Sequence, residues 1–153
     1  MVDIVQIVGF SNAQLKNALK NYLLDYLELG WDEENGGIYY FRDVYGRPCE
    51  QLEHDMKLWW VHNEALIATL LASNLTGDAY YDEWYEKLHD YVFSQFPDKE
   101  YGEWYGYLHR DGTVSHEQKG SLWKGPYHLP RCLMLCEQIL AASEKGEQAK
   151  ELL

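Results

Sequence analysis

Residues 57–75 carry apolar side chains almost all the way round a helical wheel, with Leu66, Ile67, Ala68, Leu70, Leu71 and Ala72 in close succession. Such a helix must be enclosed on most sides. Gly77 and Asp78 then supply a stop and a new cap. The next stretch, 79–96, is amphipathic, with Tyr81, Trp84, Tyr85, Leu88, Tyr91 and Val92 on one face before Pro97. An enclosed helix beside a half-exposed one predicts two layers of helices.

The flanking segments extend that alternation. Ser11 and Gln14 form a capping-box pattern ahead of Leu15, Ala18, Leu19, Tyr22, Leu23 and Tyr26 at helical spacing, and Gly30 ends the helix. The first ten residues read as a short strand or a lead-in. Residues 31–56 form a long loop in which Asn35-Gly36-Gly37 turns the chain into the β-rich run Ile38-Tyr39-Tyr40-Phe41, so a small hairpin is predicted. Asp32, Glu33 and Glu34 lack the spacing of a calcium loop and read as a solvated acidic turn. Asp55 can cap the helix that follows. A second hairpin is predicted over 101–114, around Asp111-Gly112. Pro130 suits the first turn of a last helix through Cys132, Leu133, Leu135, Cys136, Ile139 and Leu140. The polar last ten residues read as a loosely held helix.

Composition narrows the function. The 153 residues fit one domain, and a formal net charge of −12 disfavours nucleic acid and anionic membranes as partners. No signal peptide, long apolar run or lipidation signal is recognised, so a cytoplasmic location is expected. Cys49, Cys132 and Cys136 complete no metal-ligand pattern and read as reduced thiols. Thirteen Tyr and six Trp are an unusual aromatic load. Rings stack on the apolar faces of a pyranose, while carboxylates and Lys bind its hydroxyls.

Two clusters carry candidate chemistry. Lys57, Trp60 and Glu64 are spaced to share one helical face, as a stripe lining a polar cavity or as a buried Lys–Glu pair beside Trp60. His62 and Asn63 point elsewhere and read as structural. His128 lies between Pro126 and Pro130, where first-turn N–H groups favour a neutral imidazole that can act as a general base. Its bland alternative is a helix-terminus histidine. The other histidines read as surface residues and show no metal-ligand spacing.

GWDEENGGIYYFRD, KLWWVHNEAL, EYGEWYGYLHRDG and WKGPYHLPR, in this order, resemble the N-acylglucosamine 2-epimerases. That family includes cellobiose 2-epimerases and mannose isomerases, and its mammalian members are known as renin-binding proteins. The resemblance runs from about Leu15 to Leu140. His-Leu-Pro-Arg at 128–131 and Gly-Glu-Trp-Tyr-Gly at 102–106 look more like the N-acylglucosamine branch than the cellobiose branch.

The resemblance implies an all-α fold, part of an (α/α)6 barrel with short β-hairpin loops, with residues 1–153 as its C-terminal part. It implies interconversion of N-acetylglucosamine and N-acetylmannosamine by deprotonation and reprotonation at C2. His128 corresponds to one of two acid–base histidines, Trp60 and Trp123 to sugar-contacting aromatics, and Glu64 to a cavity carboxylate. The second histidine, its carboxylate partner and an enolate-stabilising arginine belong to an N-terminal half that is absent here. The chain alone is therefore expected to be inactive. Cellobiose or mannose epimerisation, or a non-catalytic carbohydrate-binding role, are the alternatives. The expected partner is an amino sugar or another reducing sugar. A homodimer, or association with the absent half, is also expected. No metal or organic cofactor is expected, because the open-chain aldehyde itself acidifies the C2 proton.

Overall fold

A computed structural model of the chain describes residues 22–149. The capping box at Ser11 and Gln14, the apolar positions 15–19 and the first ten residues lie outside them. The elements are α1 (Leu24–Gly30), β1 (Lys57–Leu58), α2 (Trp59–Thr76), α3 (Ala79–Gln95), β2 (Tyr107–Leu108) and α4 (His128–Glu144). The structure is mostly helical, and β1 and β2 form a small antiparallel sheet with Lys57 opposite Leu108. Among the described residues, no helix is long and apolar enough to cross a membrane.

Helix α2 is the core element. It packs against both α3 and α4. Its buried residues, from Trp59 and His62 through Leu66, Ile67, Leu70, Leu71 and Leu75, cover more than one face. Each such Leu or Ile contributes about 1.5–3 kcal/mol by leaving water. Gly77 ends the helix in the left-handed region at φ 67°, its N–H bonded to the Ser73 carbonyl. Asp78 caps α3 by accepting from the Tyr80 N–H at 3.1 Å.

Contacts along α2 set the helix directions. Ser73 near its end bonds Asp82 near the start of α3, and His62 near its start stacks on Tyr91 of α3, so these helices run antiparallel. Trp59 at its start meets the His128 ring, whereas Asn74 near its end bonds Ser143 of α4. Helices α2 and α4 therefore run parallel, and their N-termini meet at one end. The described residues after α4, 145–149, are not loosely held. Ala149 is buried and its N–H bonds Asn74 Oδ1 at 2.6 Å.

The N-terminal limit of α2 differs from the expected one. Asp55 makes no cap, and Lys57 and Leu58 are extended because they pair with Leu108 and Tyr107. The run 38–41 does not form a strand. It is held by a bridge between Trp31 and Ile38 and by the Tyr40 and Phe41 N–H groups, which bond Met56 O and His54 O. The second hairpin forms as a tight turn, with the His109 N–H bonded to Thr113 O and the Ser115 N–H to Tyr107 O.

The chain also repeats itself. Asp32 and Asp98 open two loops with one hydrogen-bond scheme. Asp32 Oδ1 accepts the N–H groups of Glu34 and Asn35, and Asp98 Oδ1 those of Glu100 and Tyr101. The Gly36 N–H bonds Asp32 O, and the Gly102 N–H bonds Asp98 O. Tyr39 N–H reaches Gly30 O, and Tyr105 N–H reaches Phe96 O. Each aspartate also holds a later lysine, Lys57 in the first loop and Lys119 in the second. Each loop leaves a peripheral helix, α1 or α3, and leads towards one of the parallel pair, α2 or α4. Two copies of one helix–loop–helix unit thus build the described residues.

Candidate active site

The N-termini of α2 and α4 bring together four side chains from two distant segments. Trp60 lies in the first turn of α2 and Glu64 one turn later. His128 is the first residue of α4, and Arg131 lies on its next turn. His128 Nδ1 is 2.9 Å from Glu64 Oε1. A carboxylate only accepts, so Nδ1 carries the hydrogen, and in the neutral ring Nε2 is the nitrogen that holds the lone pair. Arg131 Nη1 donates to both Glu64 oxygens, at 2.7 and 2.9 Å. Partial burial alone would raise the Glu64 carboxyl, but the His128 and Arg131 hydrogen bonds outweigh it and hold Glu64 below its ordinary value. Glu64 is therefore an ionised anchor rather than an acid.

Aromatic rings surround the imidazole. Trp60 lies 5.9 Å from it between centroids, and Trp59 and Tyr127 meet it edge-on at 6.3 and 5.0 Å. Tyr40 packs edge-on against Trp60 at 6.1 Å. A half-exposed histidine with an oriented free nitrogen, beside indole faces and a guanidinium, can remove a proton from a stacked polyol.

Of the expected site residues, Trp60, Glu64 and His128 converge. Lys57 does not. It lies on β1, before the helix begins, so the helical spacing to Trp60 and Glu64 does not apply. Its ammonium is fully buried, 3.1 Å from Asp32 Oδ2 and 4.0 Å from the Tyr39 ring centroid. Burial pulls Lys57 down to about 8 despite the help of Asp32. Trp123 is 77% exposed in the loop before α4. No ring contact joins it to Trp60 or His128.

Asp32 is not a solvated acid. It is 1% exposed and takes Arg110 Nε and Nη2 at 2.9 and 3.1 Å as well as Lys57. Burial alone would raise its carboxyl, but the Arg110 and Lys57 hydrogen bonds hold it well below the usual range. His62 is structural, as expected, but deep in the core rather than at the surface. Its Nδ1–H donates to Leu58 O at 2.7 Å and Nε2 accepts the Ile38 N–H at 2.9 Å, so neither nitrogen is free for catalysis. The residue missed by sequence reasoning is Arg131. Its spacing from His128, one helical turn, was the signal.

Residues 9–132 match the family described as N-acylglucosamine 2-epimerase (GlcNAc 2-epimerase). The chain belongs to this family. It is 48% identical over 124 residues to the N-acylglucosamine 2-epimerase of Mus musculus, a match covering 81% of this chain and 30% of that protein. The Homo sapiens N-acylglucosamine 2-epimerase is 44% identical over 126 residues, covering 82% and 30%. A D-mannose isomerase of Pseudomonas cannabina pv. alisalensis is 30% identical over 118 residues, covering 74% and 27%. The chain thus spans about 30% of the length of these N-acylglucosamine 2-epimerases. Among solved structures, a D-mannose isomerase superposes with TM-score 0.72 at 24% identity, over 91% of this chain and 34% of that one. The cellobiose 2-epimerase of Bacillus thermoamylovorans B4167 gives 0.69 at 23% identity, over 89% and 34%. At these identities the likeness concerns the fold.

Proposed function

We propose that this chain supplies the C-terminal part of a sugar 2-epimerase site that interconverts N-acetylglucosamine and N-acetylmannosamine. The observation that carries the proposal is the His128–Glu64–Arg131 arrangement beside Trp60. His128 Nε2 takes the C2 proton of the open-chain sugar, which is acidic beside the aldehyde. Glu64 fixes the imidazole tautomer. The N–H donors of Arg131 not used by Glu64 stabilise the developing enolate oxygen. Trp60 stacks on the sugar. The higher identity to N-acylglucosamine 2-epimerases than to the D-mannose isomerase supports an N-acyl sugar over mannose.

Epimerisation inverts one carbon, so a second proton donor must act from the opposite face. That group belongs to the remaining length of the relatives, within an (α/α)6 barrel. Leu133, Met134 and Leu140 stand exposed on α4 and support association with further helices on that face. The test follows C2 of N-acetylmannosamine by NMR in deuterated water with the purified chain. The expected result is deuterium uptake without inversion, abolished by His128→Ala. Robust epimerisation would refute the one-base site. No exchange from a folded chain would favour a carbohydrate-binding role instead.

A further inference from the structure

Cys132 and Cys136 take no part in the proposed sugar chemistry, yet they are placed as a pair. They lie one turn apart on α4 with their Sγ atoms 3.9 Å apart, and both thiols are free. Cys132 is 1% exposed and Cys136 8%. Tyr85 of α3 lies beside them. Burial pushes its phenol up to about 12, and the two sulfurs add to that push.

Helix geometry opposes a disulfide here. An S–S bond needs Cβ atoms about 3.5–4.5 Å apart. Residues four apart on a helix hold them about 5–6 Å apart. A single atom between the sulfurs meets no such conflict. Two bonds of about 2.3 Å, the length of a zinc–thiolate bond, span 3.9 Å with a bent centre. Zinc itself would need further ligands. Among the described residues no group of three or more His, Cys, Asp or Glu could hold a metal ion. The fitting ligand is a thiophilic centre that is satisfied by two thiolates and brings its own third substituent.

We propose that Cys132 and Cys136 form a dithiol site for trivalent arsenic. An arsenical R–As(OH)2 exchanges two As–O bonds for two As–S bonds. Each thiol proton leaves with a hydroxide as water, arsenic stays trivalent, and no oxidant is needed. Cys136, the more exposed thiol, reacts first, and Cys132 closes the bridge. Cys132 directly follows Arg131, so the bridge forms on the same turn of α4 that clamps Glu64.

The probe is phenylarsine oxide at one equivalent with the folded chain. Intact mass should show one phenylarsenic unit per chain. Alkylation after denaturation should find one reactive cysteine of the three, and peptide mapping should place it at Cys49. Excess glutathione should leave the adduct in place, while 2,3-dimercaptopropanol should remove it. Cys132→Ser and Cys136→Ser should each weaken retention about tenfold or more, and Cys49→Ser should not. If a serine variant fails to fold, mapping of the unmodified sequence decides alone. An adduct through Cys49, or three alkylatable thiols after treatment, overturns the proposal.

Discussion

Arg131 holds Glu64 by both carboxylate oxygens from a single nitrogen, while His128 shares one of those oxygens. The three side chains are 31–38% exposed, so the pairing contributes little to folding. Exposed ion pairs are worth about 0–1 kcal/mol. Glu64→Ala should therefore change stability by less than about 1 kcal/mol in urea denaturation. The same substitution frees the His128 ring and the guanidinium. Deuterium exchange at C2 should then fall towards the His128→Ala level, a loss of about 10²–10⁴-fold. A variant that loses stability but keeps its exchange rate would show that the cluster is structural.

The Asp32 cluster should behave in the opposite way. Asp32→Ala leaves Lys57 fully buried without a counter-charge. Breaking a buried pair costs about 3–5 kcal/mol. Arg110 is 40% exposed, and Arg110→Ala should cost about 1 kcal/mol or less because Lys57 still faces Asp32. Urea midpoints of the two variants check the ranking. Equal losses would mean that Arg110, not Lys57, is the principal partner.

His62 should make the fold acid-sensitive. Burial lowers it to about 4, against the favourable Leu58 carbonyl. The unfolded imidazole takes up its proton below about 6.5. Between these values the unfolded state binds more protons, so stability falls as pH drops from about 6.5 to 4, by about 3 kcal/mol in all. Asp32 does not contribute in this window, because its stabilisation is lost only below the unfolded carboxyl value of about 3.9. Urea denaturation at several pH values checks this. His62→Gln should flatten the slope, and an unchanged slope would assign it elsewhere.

Helix α3 was legible because apolar period, the Asp78 cap and the Pro97 breaker agree there, and α4 because its apolar period follows a proline suited to a first turn. Glu64 and His128 were found as chemistry-bearing types next to aromatic rings. Lys57 was misplaced because a two-residue strand has no periodic signature, and its partner strand lies far along the chain. Asp32 looked solvated because its cations, Lys57 and Arg110, come from distant segments. The duplicated loop was hidden by divergent side chains around a shared backbone pattern, of which only the Asp, the Glu two residues later, the Gly four residues later and the Tyr are common to both copies.

Gly37 and Glu103 occupy the same position in the two loops, and both have left-handed backbones, at φ 74° and 60°. Gly37 cannot carry a side chain, since a Cβ there would lie 2.5 Å from the Tyr91 ring. Gly37→Ala should cost about 1–3 kcal/mol from overpacking alone. Glu103 accepts the left-handed strain, about 1–2 kcal/mol, and its carboxylate holds Lys124, which is only 4% exposed. Glu103→Gly therefore relieves strain but leaves a buried ammonium with the Lys119 carbonyl as its remaining partner. The net effect should be destabilising, by about 2 kcal/mol after discounting for the partial exposure of Glu103. Adding Lys124→Met removes the stranded charge while keeping the chain over Trp59, so the double variant should be more stable than Glu103→Gly alone. A double-mutant cycle in urea measures this directly. If Glu103→Gly by itself stabilises the protein, backbone strain outweighs the ion pair, and Glu103 is held there for a reason other than Lys124.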